Sequence, residues 1–308
     1  MDKDQFSTFA GFTFCTALEK LSADIAIIGI PYGVPYEASK PPDSLNAPAA
    51  IRRESSQYPD DLVAWDFDLD GTLLGSTGAR VVDCGDLRGS QSEPLENQKS
   101  AAAAIQKILA SGAIPLVLGG DDSIPIPVLI AYEGKEPFYI LQLDAHIDWR
   151  DHVNGIRDGY SSTMRRASEM PFVKGITQVG MRAVGSAREE EVLAARSYGA
   201  NLINASVIRS EGIAAAIAFL PEDSRCFITI DLDVLDPMVM PATGALTPGG
   251  LEYLEVIDLI QAVVQRTHVV GVCIVSLVPE MDINNIGAIT AMRIVWNLIG
   301  SISRNLKK

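Results

Sequence analysis

Phe138-Tyr139-Ile140-Leu141-Gln142-Leu143-Asp144-Ala145-His146-Ile147-Asp148 is the stretch that decides the fold. Its first six residues form an apolar run of strand length, and its last five switch abruptly to acids and an imidazole. A second stretch repeats the form: Cys226-Phe227-Ile228-Thr229-Ile230 runs into Asp231-Leu232-Asp233, then Asp236-Pro237. Short continuous apolar runs fit strands buried on both faces, as in a parallel sheet. Side chains alternate along a strand, so Asp144, His146 and Asp148 are expected to point one way from one strand end, and Asp231 and Asp233 from another. Four carboxylates and an imidazole brought together would repel one another without a cation among them. An oxygen-rich set with an imidazole suits Mn, Ni or a similar divalent ion, in pairs where carboxylates bridge. The plainer reading is solvated loop acids after a strand. It serves for one such segment and serves poorly for two.

Outward from these segments, strand-like and helix-like stretches alternate. Strands are expected at Ile25–Ile30, Arg80–Asp83, Ile114–Leu118, Phe138–Leu143, Ile176–Val179, Asn201–Asn204, Cys226–Ile230 and His268–Val275. Helices are expected at Glu96–Ala110, Ser123–Tyr132, Ala187–Tyr198, Ile213–Leu220, Gly249–Gln265 and Ile286–Ile299. Tyr32–Asp60 reads as loop-rich. This alternation predicts one α/β domain over 1–308, a three-layer α/β/α arrangement around a mostly parallel sheet of about eight strands. Such sheets bind ligands beyond the carboxyl ends of their strands, where both acidic segments fall.

The chain has 308 residues, 47% of them hydrophobic, and a formal net charge of −14. That charge argues against nucleic acid, whose phosphates need Lys/Arg surfaces. Cys15, Cys84, Cys226 and Cys273 are scattered and read as reduced core residues rather than disulfides or a zinc knuckle. No apolar run reaches membrane-spanning length, and Met1-Asp2-Lys3-Asp4-Gln5 has neither the basic nor the apolar part of a signal peptide. A cytoplasmic protein with no membrane partner is expected.

Further motifs fall in a telling order: Ile28-Gly29-Ile30-Pro31-Tyr32, Ala47-Pro48-Ala49-Ala50-Ile51-Arg52, Asp83-Cys84-Gly85-Asp86, Gly119-Gly120-Asp121-Asp122-Ser123, Pro241-Ala242-Thr243-Gly244 and Pro248-Gly249-Gly250-Leu251. With the two acidic segments, they resemble the ureohydrolase family of arginases and agmatinases, on the agmatinase side, over nearly the whole chain. The resemblance implies an arginase-like fold, a trimer or hexamer, and two divalent metal ions (Mn or Ni). It also implies hydrolysis of a small cationic guanidine-type substrate to urea and an amine by a metal-activated hydroxide. By position, Asp144 and Asp231 would bridge the metals, His146 and Asp233 would complete one site, and Asp148 would serve the other and steady the tetrahedral intermediate.

Three positions depart from the family pattern. Asp122 stands where the family has a metal-binding His. The stretch from Gly159 to Arg166 has no His where the family carries one given a proton-shuttle role, and His152 is the nearby substitute. Ser276 stands where a family Glu holds the guanidinium, and a neutral hydroxyl cannot make a charge-assisted pair with a cation. Glu280, in Pro279-Glu280-Met281-Asp282, belongs to a turn and is expected to point elsewhere. His268, Arg165 and Arg166 read as structural or surface residues, and Gly119-Gly120 as a tight turn. Two readings follow. The chain is an amidinohydrolase with an unusual substrate, or a degenerate subunit that assembles with an active ureohydrolase paralogue. Heteromeric nickel-dependent ureohydrolases acting on biguanides or guanidines, such as metformin hydrolase, are a precedent for the second.

Overall fold

The structure is a computed structural model that describes residues 7–36, 44–57, 61–90, 92–185 and 187–306. Their elements run β1 (Thr13–Phe14), β2 (Ile25–Ile30), α1 (Ala47–Ser55), β3 (Val81–Asp86), α2 (Pro94–Ala110), β4 (Ile114–Gly119), α3 (Pro125–Ile130) and β5 (Phe138–Leu143). Then follow α4 (Thr163–Ser168), β6 (Val173–Val179), α5 (Glu189–Tyr198), β7 (Asn201–Ile203), α6 (Ala205–Glu211), α7 (Ala214–Ile217), β8 (Arg225–Asp231), α8 (Tyr253–Arg266), β9 (His268–Val275) and α9 (Ile286–Asn305). The strands form one sheet in the order β1-β3-β2-β4-β9-β8-β5-β6-β7. Every neighbouring pair is parallel.

The period of two along each strand divides the core between the sheet's faces. Leu116, Leu118, Leu141, Leu143, Ile228 and Ile230 pack on one side with residues of α1, α6, α7, α8 and α9. Val117, Ile140 and Phe227 pack on the other with residues of α2, α3, α4 and α5. Helices therefore cover both faces, giving the expected α/β/α layers.

The sheet has a ninth strand beyond the expected eight, the two-residue edge strand β1, too short to announce itself by periodicity. The expected helix at Ser123–Tyr132 is trimmed to α3, since Pro125 and Pro127 remove backbone donors from its first turns. Tyr32–Asp60 contains α1, opened by Pro48 in its first turn, which buries Ala47, Ala50 and Ile51 against α9. Residues 37–43 and 58–60 of that stretch lie outside the described residues. The expectation that nothing reaches membrane-spanning length also needs correction. The 20-residue helix α9 is long and apolar enough by composition, although interrupted by Arg293 and Asn297, and 72% of its apolar window is buried inside the fold.

What matters for function is the middle of the sheet. β4, β9, β8 and β5 lie side by side, and their carboxyl ends lead to Asp122, Ser276, Asp231 and Asp144. β5 follows β4 in the chain yet sits three places away, so the connections diverge there and open a crevice.

Candidate metal centre

Asp144 is the first residue beyond β5, held by its N–H donating to the Val179 carbonyl of β6 at 2.9 Å. From here the chain turns rather than continuing as a strand. The Asp144 Oδ1 accepts the His146 N–H at 2.6 Å, a local Asx-type turn that curls the imidazole back over the carboxylate. Asp148 sits in the left-handed region at φ 50, a conformation disfavoured for a residue with a side chain and concentrated at functional sites. The same device closes the second segment. Asp231 ends β8, and its Oδ1 accepts the Asp233 N–H at 2.9 Å at the start of a single 3₁₀ turn, Leu232–Val234. The acids therefore converge by turns and not by strand alternation, which corrects the expected route to the same cluster.

The two segments are laced together. Asp233 Oδ1 accepts the Ala145 N–H at 3.0 Å, and its Oδ2 lies 3.1 Å from His146 Nδ1. Asp122 arrives from the end of β4. There Gly120 passes so close to Tyr32 that a Cβ would fall 1.6 Å from the Tyr32 carbonyl oxygen, so only glycine fits. The Asp122 carbonyl accepts the Thr163 hydroxyl of α4. No N–H or hydroxyl among the described residues donates to either oxygen of its carboxylate, and the hydrogen-bonding neighbour it has is another acid, Asp148.

Asp122, Asp144, Asp148, Asp231 and Asp233 are each no more than 5% exposed. Two groups of ligand atoms lie within 4.8 Å of one another: Asp144, His146 and Asp233, and Asp122, Asp144 and Asp231. Asp144 belongs to both. Burial, then the charges of Asp148, Asp144 and Asp231, pushes the Asp122 carboxyl well above the usual carboxylate range. Burial and its acidic neighbours do the same to Asp144, as do burial and Asp233 to Asp231. Burial raises Asp148 as well, outweighing its hydrogen bonds. Burial opposes charge on His146, but the bond to Asp233 and the surrounding carboxylates outweigh it and raise the imidazole to about 9. The cluster alone must hold protons to exist, and a cation would displace them. An orphaned buried carboxylate, hard oxygen donors and one imidazole fit a pair of divalent ions of the Mn or Ni kind.

Ser276 also lies in the left-handed region, at φ 70. Its hydroxyl donates to Asp231 Oδ2 at 2.5 Å, so it serves the acid cluster rather than standing open to a ligand. His152 is exposed at the foot of a tight turn closed by Val153 and Ile156. Glu280 points to Asn46, accepting its Nδ2 at 2.5 Å. His268 is exposed at the amino end of β9, the far end of the strand from the cluster. Arg166 pairs within the chain with Asp151 and Glu169.

Sequence reasoning passed over Arg182 and gave no supporting role to Asp236 or Gln142. Arg182 donates to the carbonyls of Asp233 (2.7 Å), Val234 (3.2 Å), Leu235 (3.1 Å) and Thr247 (2.7 Å), clamping the turn that carries Asp233. Asp236 accepts the N–H groups of Met238, Gly249 and Gly250 and anchors the far end of that loop. Gln142 donates to both Asp144 and Asp148. The signal for Gln142 was present, since a polar amide inside an otherwise apolar strand needs a partner.

Comparison with known proteins gives this geometry a context. Residues 23–300 match the arginase family. An agmatinase from Chromobacterium violaceum is 30% identical over 295 residues, covering 92% of this chain and 85% of that protein. An N(1)-aminopropylagmatine ureohydrolase from Thermus thermophilus is 33% identical over 193 residues, covering 62% of this chain and 64% of that protein. In structure, proclavaminate amidinohydrolase from Streptomyces clavuligerus superposes with a TM-score of 0.86 at 24% identity, over 98% of both chains.

Proposed function

This chain belongs to the arginase family and is agmatinase-like, and from that premise we propose that it hydrolyses a C–N bond of a small guanidine- or biguanide-type cation, releasing urea. The observation that carries the reading is the pair of ligand groups that share Asp144. Asp144, His146 and Asp233 would hold one divalent ion, and Asp122, Asp144 and Asp231 a second, with Asp148 beside Asp122 and Asp144. When bound, such a pair supplies Lewis-acid chemistry and lowers the pKa of a water to near neutrality. The protein's own residues do the rest. Five carboxylates set against two divalent ions leave one negative charge over, and Asp122 in place of a neutral imidazole is its source. That residual charge favours a cationic substrate.

The departures at Ser276 and His152 favour a second reading at the level of assembly. The Ser276 hydroxyl is committed to Asp231, and His152 is exposed. We therefore propose that the isolated chain turns over agmatine and arginine poorly and works in an oligomer, with copies of itself or with a nickel-loaded ureohydrolase paralogue. The four unpaired cysteines, three of them buried, suit a reducing cytoplasm. The test is urea release from agmatine, arginine, alkyl guanidines and biguanides by the Mn- or Ni-loaded chain, alone and with any co-purifying paralogue. Urea release abolished by Asp144→Asn is the expected result. No release from any substrate by a metal-loaded chain or complex would overturn the hydrolase reading and leave a structural subunit.

A further inference from the structure

We infer that Trp149, Gln178 and Gln142 form a directed hydrogen-bond chain that positions Asp144 and Asp148 as a pair of cation ligands, an inference that rests on the metal-centre reading above. The sheet register places Gln142 of β5 beside Gln178 of β6. Both are fully buried, on the face that also carries Ile140 and Ile176. Two primary amides inside an apolar face are costly unless each donor and acceptor is matched. Here they are matched. The Trp149 indole N–H donates to Gln178 Oε1 at 2.7 Å. Gln178 Nε2 donates to Gln142 Oε1 at 2.5 Å and to the Ile147 carbonyl at 2.8 Å. Gln142 Nε2 donates to Asp144 Oδ2 at 2.7 Å and to Asp148 Oδ2 at 2.6 Å.

The direction of this chain is fixed by its first member. An indole N–H can only donate, so Gln178 must turn its oxygen toward Trp149 and its amine toward Gln142. Gln142 must then present its oxygen to Gln178 and its amine to the carboxylates. A flipped Gln142 would aim an oxygen at two acids. Both amide hydrogens of Gln142 are used, so the two carboxylates are drawn to one nitrogen, while each bonded oxygen keeps a lone pair for a cation. The Trp149 indole thus orients acids to which it makes no hydrogen bond. The left-handed turn at Asp148 brings its carboxylate back to that nitrogen from four residues beyond Asp144.

The experiment is Mn²⁺ titration calorimetry on the full chain after chelator treatment, with the melting temperature of each metal-free variant measured alongside. Gln142→Met removes both donors and should weaken Mn²⁺ binding by about 10–100-fold. Gln178→Met and Trp149→Phe should weaken it in the same direction by less. If Gln142→Met does not fold, these two carry the test, because neither side chain hydrogen-bonds to an acid. Variants that lose melting temperature but bind Mn²⁺ as the wild type does would make the chain a packing feature and overturn the inference alone. A wild type that binds no divalent ion would overturn the metal-centre reading and the inference together.

Discussion

Asp122→Asn separates a ligand from a structural acid. Asp122 is 4% exposed, and among the described residues no N–H or hydroxyl reaches its carboxylate, whose hydrogen-bonding neighbour is another acid, Asp148. In the metal-free chain it must either keep a proton or stand charged among Asp144, Asp148 and Asp231. The amide keeps its shape, removes the charge and brings N–H groups that the neighbouring carboxylates can accept. Leaving a buried polar group unsatisfied costs about 1–3 kcal/mol, so the metal-free variant should gain about that much. At about 2 °C per kcal/mol for a chain of this size, its melting temperature should rise by about 2–6 °C. In saturating Mn²⁺ this advantage should shrink or disappear. A bound ion adds about 3 kcal/mol at a hundred times its Kd, and losing an anionic ligand removes much of that gain. Scanning calorimetry in chelator and in Mn²⁺, near neutral pH, reads both effects in one experiment. A variant that melts lower in both conditions would show that Asp122 is a satisfied structural acid, and the assignment would fail.

Other outcomes follow from the same geometry. Without metal, stability should fall as pH rises from about 6.5 to about 9, because folded His146 keeps a proton that the unfolded chain has released. The raised carboxyls act in the same direction from lower pH. The displacement of His146 from 6.5 to about 9 contributes at most about 3 kcal/mol of this fall, read from urea midpoints, and a midpoint that climbs with pH would contradict it. Arg182→Met should cost about 2–4 kcal/mol and speed hydrogen exchange at residues 232–235, since several buried carbonyls lose a charged donor. Unchanged exchange there would remove the clamp role. Ser276→Glu replaces the hydroxyl that donates to Asp231 with a carboxylate, so it should weaken Mn²⁺ binding, and unchanged binding by calorimetry would show that Ser276 does not serve the cluster.

The layers and the positions of the main strands along the chain were legible because strands buried on both faces leave unbroken apolar runs. Ile114–Leu118 and Cys226–Ile230 need no tertiary information to be seen. β1 was not legible, because two exposed edge residues carry no period. α1 was hidden by the prolines and turn residues around it, and its register comes from packing against α9. The acidic residues of the centre could be named from their positions after strands, but not how they meet. Asx-type turns at Asp144 and Asp231, and left-handed backbone at Asp148 and Ser276, are set by local hydrogen bonds that no periodicity reports. Arg182 and Gln178 were missed for a related reason. Their partners are backbone carbonyls and another amide, far away in sequence.

The central claim is that the ends of β4, β5 and β8 hold divalent ions around Asp144. Crystals grown with Mn²⁺ and measured for its anomalous scattering test it most directly. A strong peak is expected among Asp144, His146 and Asp233, with a weaker one among Asp122, Asp144 and Asp231, where a carboxylate replaces a neutral nitrogen donor. Two peaks of equal strength would contradict the ranking of the sites. No peak within the cluster, with Mn²⁺ absent or bound elsewhere, would contradict the account itself.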